Sequence, residues 1–227
     1  MRRHIGRRAL LRGLLGGAGV GAGSLLLGAR AGGPDRIGPH TAAGRDRARA
    51  FASARAKRPW LAPWTGVKAE ALPQRRLTLE GRLPESLRGT LFRNGPARHE
   101  LGGFRYRHWF DGDGMVHAWR LDDAGVTHEA RMVRTGKYLA ETAAGRPLYP
   151  AFDTPVDDPA PIAGPDSVNV ANISVLPRGE ELWALWEAGS PWVLDAATLE
   201  TRGIHEFSPV TRGLPGGDND DQARWIE

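Results

Sequence analysis

From residue 76 onward, short apolar runs alternate with turn residues, a pattern typical of β-strands. It predicts strands at residues 76–80, 89–93, 105–110, 115–121, 126–134, 168–176, 181–186 and 191–195. Strands this short, joined by frequent turns, indicate an all-β sandwich, barrel or propeller. No repeat of fixed period is visible along the chain, so the pattern alone leaves these three architectures open.

Two Asp-Gly pairs, Asp111-Gly112 and Asp113-Gly114, separate two of the predicted strands. Asp-Gly favours the positive φ angles of tight hairpins, so the pairs predict a hairpin turn. A calcium loop is the competing interpretation. Such a loop needs a glutamate at its twelfth position, and Asp122 stands there. Both aspartates are therefore interpreted as turn formers.

Residues 1–31 have the composition of an export signal. Arg7-Arg8 precede an uncharged stretch at residues 13–29, and Ala29-Arg30-Ala31 offers small residues for cleavage after Ala31. The segment predicts twin-arginine export to the periplasm or beyond, with an uncleaved anchor as the alternative. Residues 32–57 are predicted to be a linker, with a short solvated helix from about Ala42 to Lys57.

Charge and cysteine content exclude some classes of function. The 227 residues include 31 basic and 26 acidic side chains, and six of the arginines lie within residues 1–31. The remainder is therefore near neutral, which gives no electrostatic case for nucleic-acid binding. The chain has no cysteine, so disulfides and thiolate metal sites are excluded.

Several spaced motifs resemble those of one known family in their residues and in their order along the chain. They are Phe110-Asp-Gly-Asp-Gly-Met115, Arg93-Asn-Gly-Pro96, Arg58-Pro-Trp-Leu61 and the run at residues 194–201. Together they resemble the carotenoid oxygenases, the iron-dependent carotenoid cleavage dioxygenases, over residues 58–204. The motifs Phe110–Met115 and Arg93–Pro96 argue against an unrelated exported propeller that binds a sugar or a quinone.

The resemblance implies a seven-bladed β-propeller. A four-stranded blade takes about 40–50 residues, so residues 58–204 are expected to form about three blades of a partial propeller. The chain is therefore expected to be the N-terminal portion of such a protein. Residues 205–227 no longer resemble the family and are interpreted as a divergent tail, produced by truncation or a frameshift.

The resemblance also implies chemistry: Fe(2+) held by four neutral histidines, O2, and cleavage of a C=C bond in a carotenoid, apocarotenoid or stilbene to carbonyl products. The family places its first ligand in an Ala-His-Pro motif, which this sequence lacks. His205 lies near that point and is interpreted as a surface residue. No catalytic or metal-ligating residue is predicted, and this chain by itself is expected to be inactive and to hold no iron.

Glu187 is the one site residue that the resemblance carries over. In the family a glutamate in this stretch accepts a hydrogen bond from the outer N–H of a ligand histidine. On residue type alone, Glu187 is a strand-end glutamate that faces solvent before a turn. The resemblance favours a carboxylate directed into the core.

Two functional interpretations follow. The first is part of a dioxygenase that meets O2 and an apolar polyene or stilbene, with membrane-surface association as a further expectation. The alternative is a non-catalytic propeller remnant or binding module.

Overall fold

The computed structural model describes residues 38–206, and the fold is mostly antiparallel β-sheet, as predicted. Its elements in chain order are α1 (Pro39–Lys57), β1 (Ala71–Arg76), β2 (Gly89–Arg98), β3 (Glu100–Leu101), β4 (Phe104–Arg105), β5 (Asp113–Asp122), β6 (Gly125–Met132), α2 (Gly136–Ala144), β7 (Ser174–Arg178), β8 (Glu181–Leu185), β9 (Trp192–Asp195) and β10 (Thr201–Ile204). Short 3₁₀ helices lie at Pro59–Thr65, Trp109–Asp111 and Pro165–Val168. The predicted signal, with Arg7, Arg8 and Ala31, and all but the first two residues of the predicted tail lie outside the described residues.

Two four-stranded sheets form the main body of the described part. The first has the strand order β1-β6-β5-β2 and the second β10-β9-β8-β7, and every pairing is antiparallel. Side chains of β6 alternate between buried and half-buried along the whole strand, as expected where one face of a sheet is covered. The largest core cluster joins the two sheets through Val116 and Ala118 of β5 and Leu182 and Ala184 of β8.

The predicted hairpin at the Asp-Gly pairs is wrong. Residues 109–111 form a 3₁₀ turn, Gly112 has an extended backbone with φ −72°, and β5 begins at Asp113 and pairs with β2. Glycine is required at residue 114 for a different reason. A Cβ there would lie 2.0 Å from the carbonyl oxygen of Ala171, so the two backbones meet only because Gly114 has no side chain.

The expectation of about three blades also differs from what the described residues form, which is two four-stranded sheets and the β3–β4 hairpin. Residues 133–173 join the two sheets through α2 and a Pro-rich loop instead of a further sheet. The reason is that α2 and this loop pack against the first sheet through buried polar contacts described below. The blade count of a complete propeller stays a prediction.

The predicted helix is present as α1, and most of its positions are exposed, as the composition favoured, but one side of it contacts the body of the protein. Its Gly44 is buried against the ring of Phe104 in the β3–β4 hairpin. Arg47 Nε donates to the carbonyl oxygen of Arg105 at 3.0 Å. At the N-terminus of the helix, the backbone N–H of Thr41 donates to Asp157 Oδ2 at 2.8 Å. Within residues 38–206, no helix has the length and apolar character that crossing a bilayer requires.

Replacing Gly44 with alanine tests the packing of α1. At an exposed helical position this change stabilises a helix by up to about 1 kcal/mol. Here a Cβ would lie 2.1 Å from Phe104 Cδ2, so we expect the free energy of unfolding to fall by about 1–3 kcal/mol. Denaturant unfolding measures the change. Ala52→Gly, at an exposed position of the same helix, is the control and should cost about 1 kcal/mol. A more stable Gly44→Ala variant would contradict the packing.

Candidate active site

Four buried charges form an ion cluster beneath the Asp-Gly segment: Arg98, Asp113, Lys137 and Glu141. Lys137 Nζ lies 2.8 Å from Glu141 Oε2 and 3.2 Å from Asp113 Oδ1. Arg98 Nε donates to the other oxygen of Asp113 at 2.7 Å. The Tyr106 hydroxyl donates to Glu141 at 2.8 Å. Two cations and two anions therefore balance inside the fold, which is the condition under which buried charge is tolerated.

The ion cluster controls the ionisation of its members. Burial alone would lower the pKa of Lys137, but Asp113, Tyr106 and Glu141 together raise it above the usual lysine value. Burial, with Asp113 and Glu141 adding to it against the opposing Lys137, raises the pKa of Tyr106. Both shifts favour an ammonium at Lys137 and a neutral phenol at Tyr106 near neutral pH, so neither side chain is suited to act as a general base there.

The local sequence explains how α2 presents two of these charges. Lys137 and Glu141 are spaced i,i+4 and lie on one face of the helix. The Thr135 hydroxyl accepts the N–H of Tyr138 at 3.0 Å and caps the N-terminus, while Gly145 ends the helix in the left-handed conformation at φ 65°. Glu141 also accepts the backbone N–H of Leu148 at 3.0 Å. The helix, the first sheet and the Pro-rich loop thus meet at one carboxylate.

Two asparagine side chains hold the segment at residues 169–174 against the first sheet. Asn94, in the Arg-Asn-Gly-Pro motif, donates to the carbonyl oxygens of Ala171 and Ser174 at 2.8 and 3.1 Å. Asn172 donates to the carbonyl oxygens of Phe110 and Gly112, both at 2.7 Å. The Arg-Asn-Gly-Pro motif thus supplies a side chain to these bonds, and the Asp-Gly motif supplies backbone carbonyl groups.

An aromatic face includes the residues directly before the Asp-Gly segment. We use this name for Trp64, Trp109, Phe110, Phe152 and His108. Their rings form one contact chain: 5.7 Å between the centroids of Trp64 and Trp109, 4.8 Å from Trp109 to Phe110, and 4.6 Å from Phe110 to His108. His108 contacts Phe152 at 5.5 Å. Phe152 is 82% exposed and Trp109 48%, so the described residues leave this apolar surface uncovered.

Polar contacts hold together the two backbone segments that carry the aromatic face. The Thr154 hydroxyl donates to Asp111 and accepts the backbone N–H of Arg107 at 2.7 Å. Asp111 is 1% exposed and belongs to the turn that carries Trp109 and Phe110. Asp111 is therefore an anchor between this turn and the loop that carries Phe152, and not a hairpin former.

Glu187 lies in a turn just after β8, and its side chain is exposed. The expectation that its carboxylate is directed into the core is wrong for the described part of the chain. Strand β8 ends at Leu185, and Glu187 lies in the turn that follows, outside the strand that supplies Leu182 and Ala184 to the core. Its role beside an iron ligand stays a prediction.

The histidines of residues 38–206 do not assemble a metal centre. His117 Nδ1 and His128 Nε2 share a hydrogen bond at 3.0 Å on the first sheet, and His205 stacks on Trp183 at 4.1 Å between ring centroids. In this part of the chain, no three His, Cys, Asp or Glu side chains lie close enough together to hold a metal ion. The residues present therefore do not fit a four-histidine iron site.

Comparison with known proteins decides the family. The family profile described as "RPE65: Retinal pigment epithelial membrane protein" matches residues 65–219. The chain belongs to this family. The resemblance to carotenoid oxygenases noted in the sequence is thereby confirmed.

Curated relatives within the RPE65 family are oxygenases. The apocarotenoid-15,15'-oxygenase of Synechocystis sp. is 36% identical over 140 residues, which cover 58% of this chain and 28% of that protein. The isoeugenol monooxygenase of Pseudomonas nitroreducens is 34% identical over 131 residues, covering 58% and 27%. The lignostilbene-α,β-dioxygenase isozyme III of Sphingomonas paucimobilis is 33% identical over 131 residues, covering 58% and 26%. The chain thus spans about a quarter of the length of these relatives.

Solved structures show the same fold. A Synechocystis apocarotenoid oxygenase variant superposes with a TM-score of 0.55 at 33% identity, covering 65% of this chain and 31% of that one. The described residues of this RPE65-family chain therefore have the fold of a segment of the oxygenase.

Sequence reasoning missed the ion cluster and the aromatic face. The i,i+4 spacing of Lys137 and Glu141 is typical of an exposed ion pair on a helix. No neighbouring residue in the sequence indicates that this pair is buried. Arg98 and Asp113 lie 15 residues apart and meet only because β2 pairs with β5. Phe152 lies in a loop, where an exposed aromatic has no periodic pattern to reveal it.

Lys137→Met tests the balance of the ion cluster. The change leaves Asp113 and Glu141 buried with one cation instead of two, and breaking a buried pair in this way costs about 3–5 kcal/mol. We expect the free energy of unfolding to fall by this amount in urea titrations. Lys68→Met removes an exposed lysine and should change stability by less than about 0.5 kcal/mol. Equal effects of the two changes would exclude the balanced cluster.

Buried histidines predict how stability depends on pH. Burial, and then the charge of Arg105, lowers the pKa of His99 to about 4. The unfolded chain therefore binds more protons than the folded one between about pH 6.5 and 4, and the free energy of unfolding falls as the pH falls through this window. His99 alone should account for about 2 kcal/mol between pH 8 and pH 5.

Urea unfolding of the parent, His99→Gln and His40→Gln at pH 8 and pH 5 measures this contribution. His99→Gln should reduce the loss at pH 5, whereas His40→Gln, at an exposed helix position, should leave it unchanged. An identical loss in all three proteins would show that His99 does not titrate in this way.

Proposed function

We propose that this chain forms part of an iron-dependent oxygenase that cleaves a C=C bond of a carotenoid, apocarotenoid or stilbene to carbonyl products. The observation that carries the proposal is the family match over residues 65–219 together with relatives named for these activities. The Fe(2+) ligands lie, in this proposal, outside residues 38–206, because those residues do not fit a four-histidine site. One solved form of the Synechocystis enzyme is cobalt-substituted, which supports a metal centre in that relative.

The aromatic face is our candidate for contact with the apolar substrate. Polyenes and stilbenes are flat, apolar and rich in π-electrons, and stacked aromatic side chains bind such molecules with favourable offset geometry. Phe110 and Phe152 are both exposed, with 6.4 Å between their ring centroids. An exposed apolar surface of this kind marks a binding site in a soluble protein. The same property supports association with a membrane surface, where such substrates dissolve.

Glu187 is our candidate for the carboxylate that orients a ligand histidine. Solved forms of the Synechocystis enzyme include replacements of a glutamate and of the tryptophan directly before it. Trp186-Glu187 is the one Trp-Glu step in the present sequence. Exposure of Glu187 in the described residues leaves its carboxylate accessible to a histidine contributed from elsewhere in a complete propeller.

The alternative is a non-catalytic propeller remnant or binding module. The observation that favours it is the lack of a metal-binding group within residues 38–206. Export by the twin-arginine route, with Arg7 and Arg8 as the signal and cleavage after Ala31, belongs to either proposal.

A chimera separates the two proposals. Residues 65–206 replace the matching segment of the Synechocystis apocarotenoid oxygenase, which supplies the remaining sequence. We expect the chimera to bind iron and cleave an apocarotenoid. Glu187→Gln in the chimera should lower iron occupancy or rate by about 10–100-fold, since removing the orienting partner of a ligand has this effect. Glu180→Gln, at an exposed position before β8, is the matched control and should change neither.

The 227-residue chain alone, refolded with ferrous sulfate, should hold less than stoichiometric iron and cleave nothing. A chimera that folds without iron or activity would favour the non-catalytic alternative. An unchanged Glu187→Gln chimera would show that this glutamate has been assigned wrongly.

A further inference from the structure

Four basic side chains form a row across one face of the first sheet. We call them the basic row: Arg75, His128, His117 and Arg93. Arg93 of β2 is paired with His117 of β5, and side chains that are opposite each other in an antiparallel pair lie on the same face. Arg75 of β1 is paired with His128 of β6 in the same way. The two imidazoles are joined by the hydrogen bond between His117 Nδ1 and His128 Nε2, so the basic row spans all four strands.

The carboxylates of these four strands do not neutralise the basic row. Strands β1 and β2 contain no acidic residue. On β5 and β6, the alternation of side chains places Asp122 and Glu129 on the opposite face, where Glu129 pairs with an arginine at 2.9 Å. Asp113 is held in the ion cluster. Within residues 38–206, the side chains of Arg75 and Arg93 have neither a hydrogen bond nor an ion pair, so the basic row lacks a counter-charge.

A cavity of about 230 Å³ lies against one end of the basic row. It is lined by Arg93, His117, Trp119 and residues 94–97. Gly95 keeps it open, because a Cβ at this position would meet no atom within 4 Å. Sites for drug-sized ligands typically have about 300–1,000 Å³, so this smaller cavity suits a ligand of a few heavy atoms.

The charges of the basic row oppose one another. Burial, then His128 and then Arg93 lower the pKa of His117. Burial and then Arg75 lower the pKa of His128, against the opposing effect of Glu129. A bound anion would relieve this repulsion. A guanidinium group and an imidazole N–H are both donors to charged oxygens, and the guanidinium matches two oxygens of one group at once.

We propose that this cavity binds a small free oxyanion, whose oxygens accept hydrogen bonds from the Arg93 guanidinium and from His117 Nε2. His117 Nδ1 is occupied by His128, so Nε2 is the nitrogen left for a ligand. His128 Nε2 then donates to His117 Nδ1, which leaves the proton of His117 on Nε2. None of these residues belongs to the aromatic face, and an oxyanion is no reactant in the cleavage proposed above. The inference therefore goes beyond that function and does not rest on it.

Sulfate is the probe, because it keeps both charges across the pH range in which histidine titrates. The 227-residue chain is titrated with sodium sulfate at pH 7, with sodium chloride holding the ionic strength constant, while the imidazole nitrogens are observed by ¹⁵N NMR. We expect a saturable shift of the His117 nitrogens. At saturation the pKa of His117 should rise by about one pH unit, because a nearby negative charge favours the imidazolium. A response that does not saturate, or an unchanged pKa of His117, would overturn the proposal.

Variants test the location of the oxyanion. Arg93→Gln removes a charged donor and should weaken sulfate binding at least about tenfold. Gly95→Leu fills the cavity without changing any charge and should abolish the saturable shift. Arg45→Gln is the matched control, since Arg45 is an exposed arginine of α1 that does not line the cavity, and its affinity for sulfate should equal that of the parent. Parent-like binding by Arg93→Gln or Gly95→Leu, or an equal loss in Arg45→Gln, would place the ion elsewhere and refute the site.

Vesicles of phosphatidylserine distinguish a lipid headgroup from a free ion. At matched anion concentration we expect vesicles to shift the His117 nitrogens less than sulfate does, because the cavity is small. An equal or larger shift would assign the site to a headgroup and contradict the proposal of a free ion. All of these readouts are independent of iron and of turnover, so their failure is distinguishable from failure of the oxygenase proposal.

Discussion

The balanced ion cluster of Arg98, Asp113, Lys137 and Glu141 is the constraint on which the rest of the described structure depends. A buried charge without a partner costs several kcal/mol, so each of the four requires the others. They come from three different elements: β2, β5 and α2. The arrangement in which all four charges meet is therefore the one that leaves none of them buried without a partner.

That arrangement determines where the functional surfaces lie. With Asp113 held in the cluster, the preceding turn is fixed at its C-terminal end, and Asp111 and Asn172 fix it from either side. The turn then presents Trp109 and Phe110 outward. The result is an apolar aromatic face carried by a turn that ends at the charged interior. Buried polar contacts thus position this apolar surface, which is our proposed contact for the substrate.

Part of this was predictable from the sequence. The short runs between turn residues at residues 126–134 and 181–195 predicted strands that the structure confirms, because turn residues mark where a strand ends. The spaced motifs together indicated the family, which the comparison confirms. The roles of Asp111 and Asp113 could not be predicted, because Asp-Gly has strong local turn preferences. Tertiary contacts override these preferences here: Asp113 pairs with Arg98, and Asp111 accepts a hydrogen bond from Thr154. Charges that pair across the fold produce no pattern in the neighbouring sequence, so the ion cluster could not be predicted. The same holds for Phe152, a single exposed aromatic residue in a loop.

A double-mutant cycle between Lys137 and Asp113 tests the central claim most directly. The free energy of unfolding is measured for the parent, Lys137→Met, Asp113→Asn and the double variant. The account predicts a coupling energy of about 1–3 kcal/mol, because each change alone leaves a buried charge unpaired and both together remove one charge of each sign. Additive losses, with a coupling near zero, would contradict the claim that these charges hold the fold together as one unit.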